Sequence, residues 1–249
     1  MTPEAWLLAA LFLAAALLYA GVGHAGASAY LAAMALVGVA PDIMRPTALT
    51  LNVLVASIVI VRFRRAGFLE LRPLIPLVAG SIPMALVGGS IDLPDEVYRP
   101  LVALVLLAGA WRLATSGGSA SSEEVTTPRV PPIAGVTAGA AIGLLAGLTG
   151  TGGGIFLTPL LVLAGWSGAR HAAGLSGAFI LANSVSGIAG LFFAGTATWS
   201  PALPLWLGAV FVGGVIGAEL GSARYSVLGL RRVLAVVLVL AAAKLVFLP

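Results

Sequence analysis

The chain has no cysteine, and only 9% of its 249 residues are Asp, Glu, Lys or Arg. The first absence excludes disulfide scaffolds, thiol nucleophiles and cysteine-ligated metals. The second excludes a soluble domain, which carries about 25% charged residues. With two histidines and nine acids, no metal site and no cofactor is expected, and no acidic cluster inside the apolar runs has sodium-ligand spacing. What fills the chain instead is apolar: 60% of residues, with a mean hydropathy of +1.09. Runs long enough to span about 30 Å of hydrocarbon recur from end to end, so the chain reads as an all-α, multi-pass membrane protein. The net charge of +4 rests on a handful of arginines that act as topology signals, and no nucleic-acid partner is implied. No basic region precedes the first apolar run, which is therefore read as a retained helix and not a cleaved leader.

Polar breaks divide the chain into ten apolar segments: 5–23, 28–40, 46–61, 73–91 and 98–114, then 133–148, 155–165, 174–194, 203–223 and 230–248. The second and seventh are short, and each follows a glycine-rich stretch. Residues 115–132 are rich in Ser, Gly and Pro and read as a linker. They separate an N-terminal membrane repeat (1–114) from a C-terminal one (133–249). The halves are alike. Gly23 and Gly154 stand 131 positions apart, as do Asn52 and Asn183, and long and short segments follow the same order. Five crossings per half turn the second half upside down relative to the first, which is the inverted-repeat plan of secondary transporters with paired broken helices. Arginines 62, 64, 65 and 72, and 224, 231 and 232, occupy two loops; Asp92, Asp95 and Glu96 occupy a third. Placing arginine-rich loops in the cytoplasm predicts ten crossings, a cytoplasmic linker and both termini outside. Re-entrant short segments would lower the count.

The paired motifs are Gly21-Val22-Gly23-His24-Ala25-Gly26 and Gly150-Thr151-Gly152-Gly153-Gly154, the second followed by Pro159. They resemble the duplicated signature of the TauE/SafE sulfite-exporter family, and the resemblance extends over essentially the whole chain. The second motif matches well; the first departs, with His24 and Ala25 where glycine is more usual and no counterpart of Pro159. The resemblance implies a bacterial inner-membrane permease, not an enzyme, that exports sulfite, a sulfonate or a related small anion. Physically, glycine lets a membrane helix break and bring its backbone close to a ligand. A helix that restarts after the break points free N–H groups and a positive dipole end at the gap. Two such ends at mid-membrane would make an anion site between the repeats. The competing explanation is close helix packing. That explanation suffices for Gly135, Gly139, Gly143 and Gly147 and for Gly213, Gly217 and Gly221, which recur every four residues.

The candidate substrate-binding residues are therefore Gly21, Gly23, His24, Gly26, Gly150, Gly152, Gly153 and Gly154, joined by Ser28, Asn52, Ser176 and Asn183. His24 could donate to an anion or carry a coupled proton. Ser28 lies one turn on. Asn52 and Asn183 sit inside apolar runs, where an amide needs a partner, either substrate or another helix. Arg45 either attracts anions at the external mouth or pairs with Asp42, and Arg170 and His171 occupy the matching loop. Glu219 is expected to pair with Arg224, and Arg112 and Lys244 to snorkel. Gly174-Leu175-Ser176-Gly177 mimics the nucleophile motif of an intramembrane serine hydrolase. That chemistry needs a histidine base in reach of Ser176, supplied by His171 or His24. A scaffold that transports nothing is a third reading. A homodimer is compatible with all of them.

Overall fold

A computed structural model describes residues 2–115, 128–221 and 228–247. Among them every regular element is a helix, and the helices match the ten apolar segments in order: α1 (Pro3–Gly21), α2 (Ala27–Val37), α3 (Pro41–Arg65), α4 (Leu74–Ser90), α5 (Asp95–Thr115), α6 (Pro132–Thr149), α7 (Gly154–Leu163), α8 (Ala169–Ala194), α9 (Leu203–Gly221) and α10 (Leu228–Phe247). Most of the linker, 116–127, and Arg224 lie outside the described residues, as do the side chains of Arg231 and Arg232.

The loops gather at two faces. The acidic face joins the start of α1 to the loop before α9, where the Trp206 indole donates to the Ala5 carbonyl at 3.0 Å. Asp42, Asp92 and Asp95 border a vestibule of about 250 Å³ on this same face. At the arginine-rich face, Arg62 of α3 pairs with Glu219 of α9 at 3.2 Å, and Phe68 stacks edge-on against His171. Glu219 thus has a partner on a different helix, Arg62, while its expected partner Arg224 lies outside the described residues.

Five helices (α1, α3, α6, α8 and α9) are long and apolar enough to cross a membrane. The helices of the second and seventh segments are shorter than a membrane span. At 1.5 Å per residue, α2 with 11 residues and α7 with 10 span only about 15 Å. α2 ends where α1 began: Val37, Val39 and Ala40 line one cavity with Thr2, Ala5 and Leu8. α7 likewise ends where α6 began, with the Arg129 N–H donating to the Trp166 carbonyl at 2.8 Å. At these two segments the lengths fit the re-entrant alternative better than full crossings. Each half opens with a helical hairpin, α1–α2 dipping from the acidic face and α6–α7 from the arginine-rich face.

The packing explains the small-residue stripes. α6 lies on α4 with Gly139 against the backbone of Leu77 and Gly143 against Ser81. α9 lies on α1 with Gly213 against Leu13 and Gly217 against Leu17. A methyl group at any of these glycines would strike the neighbouring backbone, so the helices approach closely, as small residues allow in lipid. α3 packs on α8 at the centre, and α5 on α10 at the flank. Exchanging the two halves maps this pattern onto itself.

Candidate functional site

The hairpin tips are made by glycine. α1 ends in a Schellman closure: the His24 N–H reaches back to the Tyr19 carbonyl at 2.9 Å, and Gly23 takes φ +82°. That conformation suits a residue without Cβ. α2 then starts from Gly26 and α7 from Gly153, both in the left-handed region. Neither helix start receives a hydrogen bond from a capping side chain. The N–H groups of Ala27 and Ser28 in α2 and of Gly154 and Ile155 in α7 are therefore left for something else, while those of Ala29 and Phe156 already reach the carbonyls of Gly26 and Gly153.

Between these starts lies a cavity of about 10 Å³, lined by Tyr19, His24, Gly26, Ala27, Ser28, Asn52, Thr151 and Ile155, among others. It has room for about one water and none for a small oxyanion. Ser28 is fixed by the Tyr19 hydroxyl at 2.9 Å, and the Tyr30 hydroxyl donates to the Ala25 carbonyl. Asn52 is completely buried, and neither its amide nitrogen nor its amide oxygen has a partner. Asn183, its counterpart, is equally buried; its Nδ2 makes one long bond to the Gly152 carbonyl at 3.4 Å and its Oδ1 makes none. Ser184 beside it also lacks a partner. The three converge on Gly152, where a Cβ would come within 2.9 Å of Asn52 Nδ2 and 3.1 Å of Ser184 Oγ.

His24 ties the two hairpins together. Its Nδ1 lies 3.1 Å from the Val22 carbonyl and its Nε2 3.2 Å from the Gly154 carbonyl. Nε2 also lies 3.0 Å from Thr158 Oγ1, which is 2.6 Å from Ser176 Oγ. Two carbonyls can both be served only by an imidazolium; the neutral ring serves one and accepts from Thr158. Ser176 therefore reaches His24 only through Thr158. A hydrolase needs serine and base in direct contact, and here a threonine stands between them.

Of the candidates read from the sequence, His24, Gly26, Ser28 and Asn52 line the cavity, and Asn183 joins them through Gly152. The others stand behind. Gly21 is the last residue of α1, and Gly23 packs against Ala173. Gly150 backs onto Arg45, Gly153 onto Ile142 and Phe179, and Gly154 onto Ile180. Thr151, Thr158, Ser184 and Tyr19 were missed. Thr151, inside the second glycine motif, and Thr158, the residue before Pro159, left a trace; Tyr19 and Ser184 left none. Arg45 lines the vestibule beside Asp42 but does not pair with it. Its guanidinium is buried and donates to the carbonyls of Gly88 (2.7 Å), Gly89 and Ile91 (2.9 Å) at the end of α4, where a cation suits the helix C-terminus. Lys244 likewise donates to the Leu36 carbonyl at 2.7 Å, close to the end of α2. Arg170 lies over the Phe68 ring.

Residues 7–245 match the family model described as "Sulfite exporter TauE/SafE". A protein of Sinorhizobium fredii (strain NBRC 101917 / NGR234) named "Probable membrane transporter protein y4hK" is 39% identical over 99% of this chain and 100% of its own length. No solved structure matches the chain.

Proposed function

The chain belongs to the sulfite exporter TauE/SafE family of membrane proteins, and on that premise we propose that it is a secondary transporter of a small sulfur oxyanion, sulfite or a sulfonate, held between the two hairpin tips. One observation carries the reading: the Asn52 amide is wholly buried and unpartnered at a cavity flanked by two uncapped helix starts. A buried amide without partners costs about 1–3 kcal/mol, and a ligand with oxygen acceptors removes the share of that cost that belongs to Nδ2. Helix N-termini favour the same ligand. The hairpins dip from opposite faces, and exchange of the halves maps the pairing of α4 with α6 onto that of α1 with α9 and keeps those of α3 with α8 and α5 with α10; both features support reading the halves as inverted repeats. Transport then requires one hairpin to withdraw, because the cavity of about 10 Å³ is too small for the anion.

The test is sulfite flux in proteoliposomes. Asn52→Leu removes a hydrogen bond to a charged ligand, and so should raise the half-saturating concentration about 10- to 100-fold. Unchanged sulfite transport in this variant would move the site elsewhere. Ser176→Ala separates transporter from hydrolase: a transporter keeps a measurable fraction of its flux, whereas a serine hydrolase loses all activity.

A further inference from the structure

We propose that this site selects singly charged oxyanions over doubly charged ones, because its positive potential comes from two helix N-termini and not from a cationic side chain. The inference rests on the anion-site reading above and adds the charge of the ligand to it. The first turns of α2 (Ala27, Ser28) and α7 (Ile155) both face the cavity, without capping side chains. Each helix start presents about half an elementary charge. Two of them compensate about one negative charge.

An independent observation points the same way. The polar side chains that accompany the helix starts are neutral: Asn52, unpartnered and fully buried, with Ser28 and Thr151. They supply hydrogen bonds and no net charge. Among the described residues, no Lys or Arg lines the cavity. Arg45, buried nearby behind Gly150, is committed to three carbonyls of α4. The charge of Arg112 in the last turn of α5 reaches His24, but its side chain does not line the space. A second negative charge on the ligand would be buried without compensation, and a buried unpaired charge is strongly disfavoured.

The titratable groups that face the cavity are Tyr19 of α1 and His24 of the break. α2 adds Tyr30, whose hydroxyl is spent on the Ala25 carbonyl; among the contacts made by α3, α7 and α8 here are only amides and hydroxyls. A protonated His24 would add a unit of positive charge, so its contribution must be separated from that of the helix starts.

Methylphosphonate and methanesulfonate have the same shape. Methanesulfonate stays singly charged across neutral pH, while methylphosphonate passes from singly to doubly charged. Flux of both, with sulfite alongside, is measured in proteoliposomes at about pH 6 and about pH 8.5, for the wild type and for His24→Gln. At about one unit above its second pKa only about a tenth of methylphosphonate is singly charged. Its flux relative to methanesulfonate should therefore fall about ten-fold between the two conditions, and the same fall is expected in His24→Gln. A ratio that stays level, or rises with the dianion, overturns the inference while leaving anion transport intact. A fall that disappears in His24→Gln assigns the selection to the histidine and overturns it too. Absence of flux for all three anions removes the anion-transport reading, and this inference with it.

Discussion

At the scale of single residues, the site combines groups that folding alone would not retain. Asn52 and Ser184 are buried with unmet hydrogen-bonding capacity, and each such group costs about 1–3 kcal/mol. Asn52→Leu should therefore stabilise the protein by about 1 kcal/mol in detergent even as it weakens anion transport. A thermal-shift series with and without sulfite checks this. Loss of stability in the leucine variant would mean that the amide serves packing and not substrate. The alternation of donors around His24 belongs to the same scale. Thr158→Val keeps the volume but removes the hydroxyl shared by His24 and Ser176. It should lower flux more than Ser176→Ala does, because only the former removes one of the two contacts by which His24 ties the hairpins. Equal effects would make the chain of hydroxyls a single structural cluster.

At the scale of elements, the glycines fall into two kinds that the motif alone does not separate. Gly153 sits at φ +82° at the start of α7, and a Cβ there would lie 2.7 Å from Ile142 and 3.0 Å from Phe179. Gly153→Val should abolish sulfite flux by displacing the helix start. Gly139, on regular helix, instead faces the backbone of Leu77. Gly139→Val should separate α6 from α4 and cost about 1–3 kcal/mol in overpacking, seen first as a lower melting temperature and lower yield. Substrate affinity in the protein that survives should be unchanged. Should Gly153→Val transport sulfite normally, the backbone is not the anion's partner.

At the scale of the whole molecule, the hairpins settle the parity of the chain. A hairpin returns to the face it left, so counting α1–α2 as two crossings or as none leaves the termini where they were. The absence of cysteine allows single cysteines to be added without removing any. A cysteine at Thr198, which lines the vestibule of the acidic face, should react with an impermeant maleimide only from outside the cell. One at Ser119 in the linker should react only from the cytoplasm, as the arginine-rich loops direct. Labelling of both from one side would overturn the inverted arrangement of the halves.

The sequence by itself determined the membrane solvent, the ten helical segments and the two glycine breaks. These are carried by composition, periodicity and spacing, all of which act locally or repeat along the chain. Asn52 and Asn183 were legible for the same reason, as polar exceptions in apolar runs at matching positions. Only the tertiary structure decided which donors share a space. His24 meets Gly154 and Thr158 across 130 and 134 positions, and Arg45 turns to α4 instead of to Asp42. No local pattern encodes such partners. In lipid each polar group must find its hydrogen bonds inside the protein, and which one it finds depends on how two hairpins from opposite faces pass one another.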